Sequence, residues 1–422
     1  MPGRRRRSGA ANRRQQHATV LPRDRLGPDK CTSTITGPRS VRDAMSDPAF
    51  ATLLTRSARI ACDDEDVHAL GAVARRIEDW RGLSSEAESH GLAPLVQRNL
   101  ARAGVCLPAD TRRELLALTI RHRRANEIFS RTLRDVLDAF AADGINAIVL
   151  KGAALAHVLY PVAGLRPMSD VDLLVDRRLA RRAQRLLVEL GFRAPVKPDV
   201  RRLVGHHHLP PATKQVAGHA VQVEIHRDAM SPDCLASLTT KHVTRLRQFM
   251  LHGRSAYTLD HEDMLHHLCR HLGERSALVR LIWIADIVGY ASRFDDEIDW
   301  QKLARLHPFV LNTLSLLHLV NPLPRKLTRR AIPPPPPVTH GVGIGLEPLA
   351  TTLRFDRRLD EMWRDLLCPS EWWLRLYYGV NSTTSLWWCR LVRHPVHLGR
   401  WLGRRACIYA LWRARTELTP WT

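Results

Sequence analysis

Lysine is scarce in this chain, which has 422 residues but only seven lysines, so arginine supplies nearly all of its 64 basic side chains. Because the acidic residues number 42, the formal charge is +22. Net charge of this kind governs solubility and non-specific attraction rather than a particular site. Lysine-rich stripes with interleaved aromatic residues, which are typical of nucleic-acid surfaces, are missing near the centre of the sequence. We therefore do not expect nucleic acid to be the main partner.

Paired cysteines and long apolar runs are also lacking. The eight cysteines form no C-x-x-C pair, which excludes a zinc ribbon and argues against a disulfide framework. The arginine-rich N-terminus has no apolar signal-peptide core. The longest apolar run, 309–320, is shorter than the ~20 residues that cross a bilayer. These features favour a reducing, cytoplasmic location.

The composition changes along the chain and predicts six segments. Residues 1–44 are basic and poor in large apolar side chains, so they bury too little surface to offset the entropy of ordering. The segments are a disordered basic segment (1–44), a helical region (45–143), an α/β core (144–260), a second helical region packed on that core (261–330), a proline-rich linker (331–345) and a helical tail rich in tryptophan and arginine (346–422).

Hydrophobic periodicity supports this division. Before residue 143 apolar residues recur at intervals of three and four, whereas the following segment has short apolar or alternating runs. We predict strands at 145–150, 171–175 and 221–225. We predict helices at 153–160, 179–190, 262–272, 278–290 and 300–306. The predicted fold class is α+β, with a small mixed sheet embedded in mainly helical N- and C-terminal regions.

The tail leaves two interpretations open. Residues 346–422 hold eight of the eleven tryptophans, interleaved with arginine. These aromatic side chains either pack onto the preceding helices or form a patch that contacts a membrane surface or a protein partner. Tryptophan with arginine on one helix is typical of interfacial helices.

Two aspartates, Asp170 and Asp172, lie just before and within the predicted strand 171–175. Alternate side chains share one face of a strand, so these carboxylates project together while Val171 and Leu173 point into the core. Neighbouring carboxylates repel unless a cation neutralises them, and such a pair of hard oxygen ligands suits Mg²⁺ carrying phosphates. The same spacing occurs on ordinary surface strands, so the pair alone leaves metal binding open.

The strand at 221–225 supplies a third acid. Its apolar residues alternate inward, which places Glu224 on the opposite face together with His226. If this strand pairs with the one that bears the aspartates, three carboxylates converge, as in two-metal sites for displacement at phosphorus. Gly152, at a strand-to-helix junction, would let helix N–H groups approach phosphates.

Two basic side chains and several histidines leave alternatives open. Arg166 either clamps a phosphate or neutralises the carboxylates, and Lys151 either contacts phosphate or is a solvated strand end. The histidines at 206–208 and 261–271 have spacings found among metal ligands, but no zincin motif and no His-Asp pair is present. We therefore favour structural packing for them, with the run 206–208 solvated or in contact with substrate.

Taken together, these stretches resemble the DNA polymerase β-like nucleotidyltransferase superfamily, and most closely its bacterial uncharacterised nucleotidyltransferase family. The resemblance covers roughly residues 47–310. It is carried by Leu150-Lys151-Gly152, Tyr160, Arg166, Asp170-Val171-Asp172-Leu173-Leu174-Val175 and Glu224-Ile225-His226, with flanking matches at Asp79-Trp80, His90-Gly91-Leu92, Pro94-Leu95, Trp283, Asp286 and Ile298-Asp299-Trp300.

The resemblance implies metal-dependent transfer of a nucleoside monophosphate from a nucleoside triphosphate (NTP) to a hydroxyl acceptor, for which we favour a small molecule or a peptide. The implied catalytic residues, which would also bind Mg²⁺ or Mn²⁺, are Asp170, Asp172 and Glu224. The implied nucleotide-binding residues are Lys151, Gly152, Arg166 and Ser169.

One departure from the pattern concerns the residues before the helix. The superfamily commonly has Gly-Ser there, whereas this chain has Lys151-Gly152-Ala153 and so lacks one hydroxyl contact to phosphate. An alternative function is therefore a catalytically silent nucleotide-binding module, antitoxin-like or regulatory, with the same fold.

Overall fold

A computed structural model describes the greater part of the chain. The described residues are 48–194, 207–230, 237–243, 245–274, 280–330, 332–336, 367, 369, 371–380 and 383–417. The predicted disordered segment 1–44 lies outside them, as do most of the predicted linker and the beginning of the tail. The boundaries of the six predicted segments stay predictions.

The chain before the sheet is helical, as its periodicity predicts. Five helices cover this part: α1 (Pro48–Ser57), α2 (Asp64–Ala74), α3 (Leu83–Ser89), α4 (Ala93–Arg102) and α5 (Ala109–Ala142). The longest, α5, buries one face that includes Phe129, Leu133 and Phe140, and it packs on α4. It also contacts the turn at Ala163–Leu165, which precedes the second strand and the two aspartates.

A mixed sheet of six strands follows, in the spatial order β3-β4-β2-β1-β6-β5. The strands are β1 (Ile148–Val149), β2 (Val171–Leu174), β3 (Ala212–Val216), β4 (His219–His226), β5 (Leu246–Leu251) and β6 (Arg254–Leu259). At its centre β2 runs antiparallel to β1 and parallel to β4. Two helices, α6 (Lys151–Val158) and α7 (Ala180–Glu189), belong to this part of the chain. The α+β prediction is confirmed.

The strand predictions are correct in part. The prediction missed β3, β5 and β6, and the predicted strand 145–150 is paired only at Ile148–Val149. It ends there because Leu150 is already the N-cap of α6. The strand β3 is hard to recognise because its central residues, Thr213 to Gln215, are polar and lie on an edge strand.

The remaining helices follow the sheet. They are α8 (His261–Glu274), α9 (Leu281–Arg293), α10 (Trp300–Leu306), α11 (Pro308–Val320), α12 (Arg325–Thr328), α13 (Glu371–Tyr378), α14 (Thr383–Trp388) and, after a π-helical turn at Cys389–Arg393, α15 (His394–Glu417). Among the described residues no single helix has the length and apolarity needed to cross a membrane, although the pair α10 and α11, bent by 105°, meets that test jointly.

One carboxylate in α3 makes the stability of the fold depend on pH. Glu86 is 1% exposed, and neither of its carboxylate oxygens has a hydrogen-bond partner among the described residues. Burial raises the pKa of Glu86 to about 7. The pKa of Glu86 in the folded protein is above that in the unfolded chain. The contribution of protonated Glu86 to stability is therefore fully present below about pH 4.5 and is lost as the pH rises through about 7.

We expect Glu86→Gln to remove this loss. At pH 8 the variant should be more stable than the parent by about 3 kcal/mol, and the difference should shrink towards pH 4.5. Urea unfolding at pH 5 and pH 8 measures it, with Glu78→Gln, an exposed residue, as the control. A stability difference that is the same at both pH values would contradict the prediction.

Candidate active site

The register between β2 and β4 brings two of the three predicted acids together. These strands are parallel, and Asp172 is directly opposite Glu224 in the ladder. Since side chains opposite each other in a sheet lie on the same face, both carboxylates project from the same side. The backbone N–H of Leu150 donates to the carbonyl of Asp172 at 3.0 Å, which fixes the start of α6 beside this pair. The predicted pairing of the two acidic strands is therefore confirmed.

Asp172 is buried between two nitrogen donors. The Lys151 ammonium donates to Asp172 Oδ1 at 3.2 Å, and Nε2 of His226 is 2.6 Å from the same oxygen. Burial by itself raises the pKa of Asp172, but Lys151 and His226 outweigh it and hold that pKa well below its usual range. Burial lowers the pKa of His226, although Asp172 opposes that fall.

Glu224 completes a compact group of possible metal ligands. Its Oε1 accepts from Gln222 Nε2 at 2.9 Å, and its Oε2 is 3.8 Å from His226 Nε2. One ligand atom from each of Asp172, Glu224 and His226 lies within 4.8 Å of the others. Across the part of the chain that the structure describes, this is the one group of three or more such side chains with that spacing.

Asp170, the third predicted acid, lines the same cavity as Asp172 and Glu224. Its Oδ1 accepts from the Ser169 hydroxyl at 3.0 Å. Burial, and after it the negative charge of Asp172, raises the pKa of Asp170, whereas Lys151 opposes that rise. The two aspartates are thus held in different electrostatic states although they are two residues apart. A bound cation would favour the ionised form of both.

Lys151 occupies a strained backbone position. Its φ is 46°, in the left-handed region that residues other than glycine rarely adopt, and it begins α6. The Lys151 side chain is 16% exposed and is paired with Asp172, so it is not a solvated strand end. Strain of this kind persists where surrounding contacts enforce it, and it is frequent at functional sites.

Arg166 has a partner that neither interpretation of its sequence position anticipated. Its Nε and Nη2 both donate to the carboxylate of Asp286 in α9, at 2.7 to 3.0 Å, and the Tyr160 hydroxyl donates to the same carboxylate at 2.7 Å. All three side chains are buried. This ion pair ties the turn before β2 to α9, and the amide of Asn126 in α5 holds the same turn by donating to the Arg166 carbonyl.

Gly152 is packed against the Arg166 guanidinium. A Cβ at position 152 would lie 3.3 Å from three atoms of that group. The glycine therefore permits the close approach of the guanidinium, a role separate from the predicted approach of phosphate to the helix N-terminus.

We expect Gly152→Ala to lower the free energy of unfolding by about 1 to 2 kcal/mol, because the Arg166 guanidinium is held by hydrogen bonds to Asp286 and cannot move aside freely. The matched control is Gly399→Ala, also in a helix, where a Cβ would meet nothing within 4 Å. The control should be neutral or more stable. Urea unfolding of both variants measures the difference, and equal stabilities would contradict the role assigned to Gly152.

A cavity of about 290 Å³ opens over this group. All seven site residues predicted from the sequence line it: Lys151, Gly152, Arg166, Ser169, Asp170, Asp172 and Glu224. The residues that sequence reasoning did not assign to the site are Met168, His208, Leu268, His271, Arg280, Trp283 and Asp286. The cavity thus lies between the sheet and the helices α8 and α9.

The side of the cavity formed by α8, α9 and the residue before α9 carries a cation and an aromatic pair. Arg280 donates from Nε to the Ser89 carbonyl at 3.1 Å, and its guanidinium packs over Gly91. The rings of His271 and Trp283 meet edge to face at 5.1 Å. This side of the cavity therefore offers a positive charge and two rings that lie at a steep angle to each other.

The histidines are divided between the site and the core. The rings of His207 and His208 are 5.1 and 5.2 Å from that of His226, and burial lowers the pKa of His207 to about 2. His206 lies outside the described residues. His267 is buried, and burial lowers its pKa to about 3. Sequence reasoning placed His226 on the face of Glu224 but gave it no role, although the spacing of two residues was the available signal.

Comparisons with known proteins bear on the same region. The model of one protein family, described as an uncharacterised nucleotidyltransferase, matches residues 77–320, which is more than half of the chain. A solved structure described as an antigenic nucleotidyltransferase-like protein from Paracoccidioides brasiliensis is similar over 44% of this chain and 92% of its own, with 15% identity and a TM-score of 0.30. A comparison with curated proteins gave no match.

Proposed function

Because this chain belongs to the uncharacterised nucleotidyltransferase family, we propose that it transfers a nucleoside monophosphate from an NTP to a hydroxyl acceptor. In this reaction the acceptor oxygen forms a bond to the α-phosphorus, the bond from that phosphorus to the bridging oxygen breaks, and pyrophosphate leaves while the acceptor loses its proton. The observation that carries the proposal is the alignment of Asp172 with Glu224 under a cavity that Asp170 also lines.

The donor set fits a divalent cation. Two carboxylates and one imidazole present ligand atoms within 4.8 Å of one another, and hard carboxylate oxygens are ligands that Mg²⁺ and Mn²⁺ accept. We propose that Asp172 and Glu224, with Asp170, hold this cation. When bound, such a cation neutralises the negative charge of the phosphates and orients them.

The positive side chains of the cavity suit the triphosphate. Lys151 begins α6, and Leu150 at the N-cap has no side-chain hydrogen bond to the first turn, whose N–H groups favour an anion. Arg280 lies on the opposite side of the cavity. Fixed charges in a partly closed cavity stabilise the charge that develops at the α-phosphate without reorganisation of solvent. We assign Gly152 and Ser169 to the same phosphate path, and to Arg166 the positioning of the turn that carries Asp170.

The acceptor is proposed to lie against α8 and α9. Trp283 and His271 line this side with rings that suit contact with a small molecule or a peptide side chain. We also propose that the protein is a cytoplasmic, bacterial member of the DNA polymerase β-like superfamily. The sequence pattern around the acids supports the superfamily, and the free thiols of all five cysteines among the described residues suit a reducing compartment.

The test uses the full chain with each of the four NTPs labelled at the α-phosphate, with Mg²⁺ or Mn²⁺, and with pools of small molecules and peptides. Transfer of label from the α-position together with release of pyrophosphate supports the proposal. A parallel assay with NTPs labelled at the γ-phosphate would instead identify a kinase if label were transferred only from that position. The same assay without added acceptor detects modification of the protein itself.

The alternative is a silent nucleotide-binding module. It predicts that NTP binds, as measured by calorimetry, while no label is transferred to any acceptor. The ion pair of Lys151 with Asp172 is the observation in its favour, because this pair must loosen if a cation is to bind Asp172. Binding without transfer across the acceptor pools would favour this alternative over the enzyme.

A further inference from the structure

The last helices of the described chain expose several large apolar side chains. The helix α14, the π-helical turn and α15 follow one another without interruption from Thr383 to Glu417. The exposed large apolar residues of this stretch, here called the tail face, are Trp387, Trp388, Leu391, Val396 and Leu402. Leu391 at 67% and Trp388 at 62% have the highest exposed fractions among the large apolar side chains that the structure describes.

Other side chains of the same helices hold them against the body of the protein. Leu386, Cys389 and Leu398 are buried. The hydroxyl of Tyr377 is 3.2 Å from His397 Nε2, and that of Tyr378 is 3.1 Å from His394 Nδ1. These tyrosines belong to α13.

The helix α13 is in turn packed on the core. Trp372 and Leu376 of this helix are buried in the main hydrophobic cluster. The packing interpretation holds for Trp372, which is buried, whereas Trp387 and Trp388 are exposed and leave the interpretation as a contact patch to be tested. The orientation of the tail face is set by packing.

The charged residues within this part of the chain are of one sign. Residues 372–416 contain eight arginines and neither aspartate nor glutamate. Of the arginines whose exposure is described, Arg393 and Arg400 are exposed beside the apolar residues. A basic residue near an anionic lipid surface contributes about 1 kcal/mol of attraction at ordinary ionic strength.

We infer that the tail face docks on the surface of an anionic lipid bilayer. Tryptophan favours the boundary between headgroups and acyl chains, and aliphatic side chains enter that boundary beside arginines that contact the headgroups. A single-stranded nucleic acid is a poorer match, because Leu391, Val396 and Leu402 offer no aromatic surface on which bases stack. A second copy of the chain is also a poorer match, because two surfaces of the same positive charge repel. The inference does not depend on nucleotidyl transfer.

The test is co-sedimentation of the full chain with vesicles. We expect binding to vesicles of phosphatidylcholine with about 30% phosphatidylglycerol to be at least 10-fold tighter than binding to pure phosphatidylcholine, and to weaken as salt is raised. Trp387→Ala with Trp388→Ala and Leu391→Ala should weaken it about 10-fold or more. The matched control replaces Ile120, Val188 and Met250 by alanine. These three residues are exposed by 51 to 58% elsewhere on the protein, and the control variant should bind vesicles like the parent.

Further measurements distinguish docking on lipid from binding of RNA or of a second copy of the chain. Arg393→Gln with Arg400→Gln should weaken vesicle binding roughly 10-fold while leaving the thermal unfolding transition in place. Quenching of the parent protein's tryptophan fluorescence by lipids brominated in their acyl chains requires no variant and is expected on docking. Equal binding to neutral and anionic vesicles, or no quenching, would overturn the inference. The inference would also be overturned if the parent did not bind vesicles and the tail-face variants instead lost binding to RNA or dimerisation.

Discussion

Asp172→Asn is expected to lower the rate of nucleotidyl transfer about 1,000-fold, which corresponds to roughly 4 kcal/mol of lost transition-state stabilisation. The substitution preserves the shape of the side chain but removes the negative charge that Lys151 and His226 surround. It also places an amide nitrogen, which is a donor, beside two donors. Both effects oppose the binding of a cation at the position where Asp172 meets Glu224.

The measurement is the initial rate of label transfer from an α-labelled NTP, once the acceptor is known, or of self-modification. Asp135→Asn, an exposed acid in α5, is the control for the change of charge and should keep the parent's rate. Glu224→Gln should reproduce the loss, because it removes the other carboxylate of the group. A rate for Asp172→Asn within a factor of ten of the parent's would contradict the proposed role of this carboxylate.

Asp286→Ala is expected to lower the free energy of unfolding by about 3 to 5 kcal/mol. The substitution leaves the buried Arg166 guanidinium without its carboxylate and the Tyr160 hydroxyl without its acceptor. An unpaired buried cation costs more than the ion pair contributed, since its desolvation is no longer offset. Because Arg166 ends the turn that leads to Asp170, we expect the site to lose order together with the fold.

Three variants give this prediction its controls, all measured by urea unfolding followed through tryptophan fluorescence. Tyr160→Phe removes one hydrogen bond and should cost about 1 kcal/mol. Glu127→Gln breaks the exposed pair with Arg131 and should change stability by less than about 0.5 kcal/mol. Arg166→Met combined with Asp286→Leu replaces the pair by apolar groups and should be more stable than Asp286→Ala. A double variant as unstable as the single one would show that the charge is not the cause.

The missed strands had a local signal. The turn between β5 and β6 is His252-Gly253 and that between β3 and β4 is Ala217-Gly218, and all four residues have positive φ. Two-residue turns with glycine second are typical of hairpins. The strands β5 and β6 themselves carry Arg247, Gln248 and Arg254 among their apolar residues, and these polar residues obscured the alternation. These strands were therefore within reach of sequence reasoning that weighed turns before periodicity.

The sequence by itself determined which acids share a face. Alternation along a strand is a local property with a period of two, so Asp170 with Asp172, and Glu224 with His226, are paired in orientation before any tertiary contact forms. It also predicted the helical region from Pro48 to Ala142 and the presence of a small sheet, because both depend on periodicity within a few residues.

Only the tertiary structure decided which partners these side chains receive. Lys151 meets Asp172 across 21 residues and Arg166 meets Asp286 across 120, and no local period encodes those separations. The register that sets Asp172 against Glu224 and the packing that turns Trp387 and Trp388 outward likewise depend on how distant elements settle against one core. Such contacts form only when chain closure is compensated by burial over the whole domain, which is why the sequence predicted residues that line one cavity but not their ion pairs.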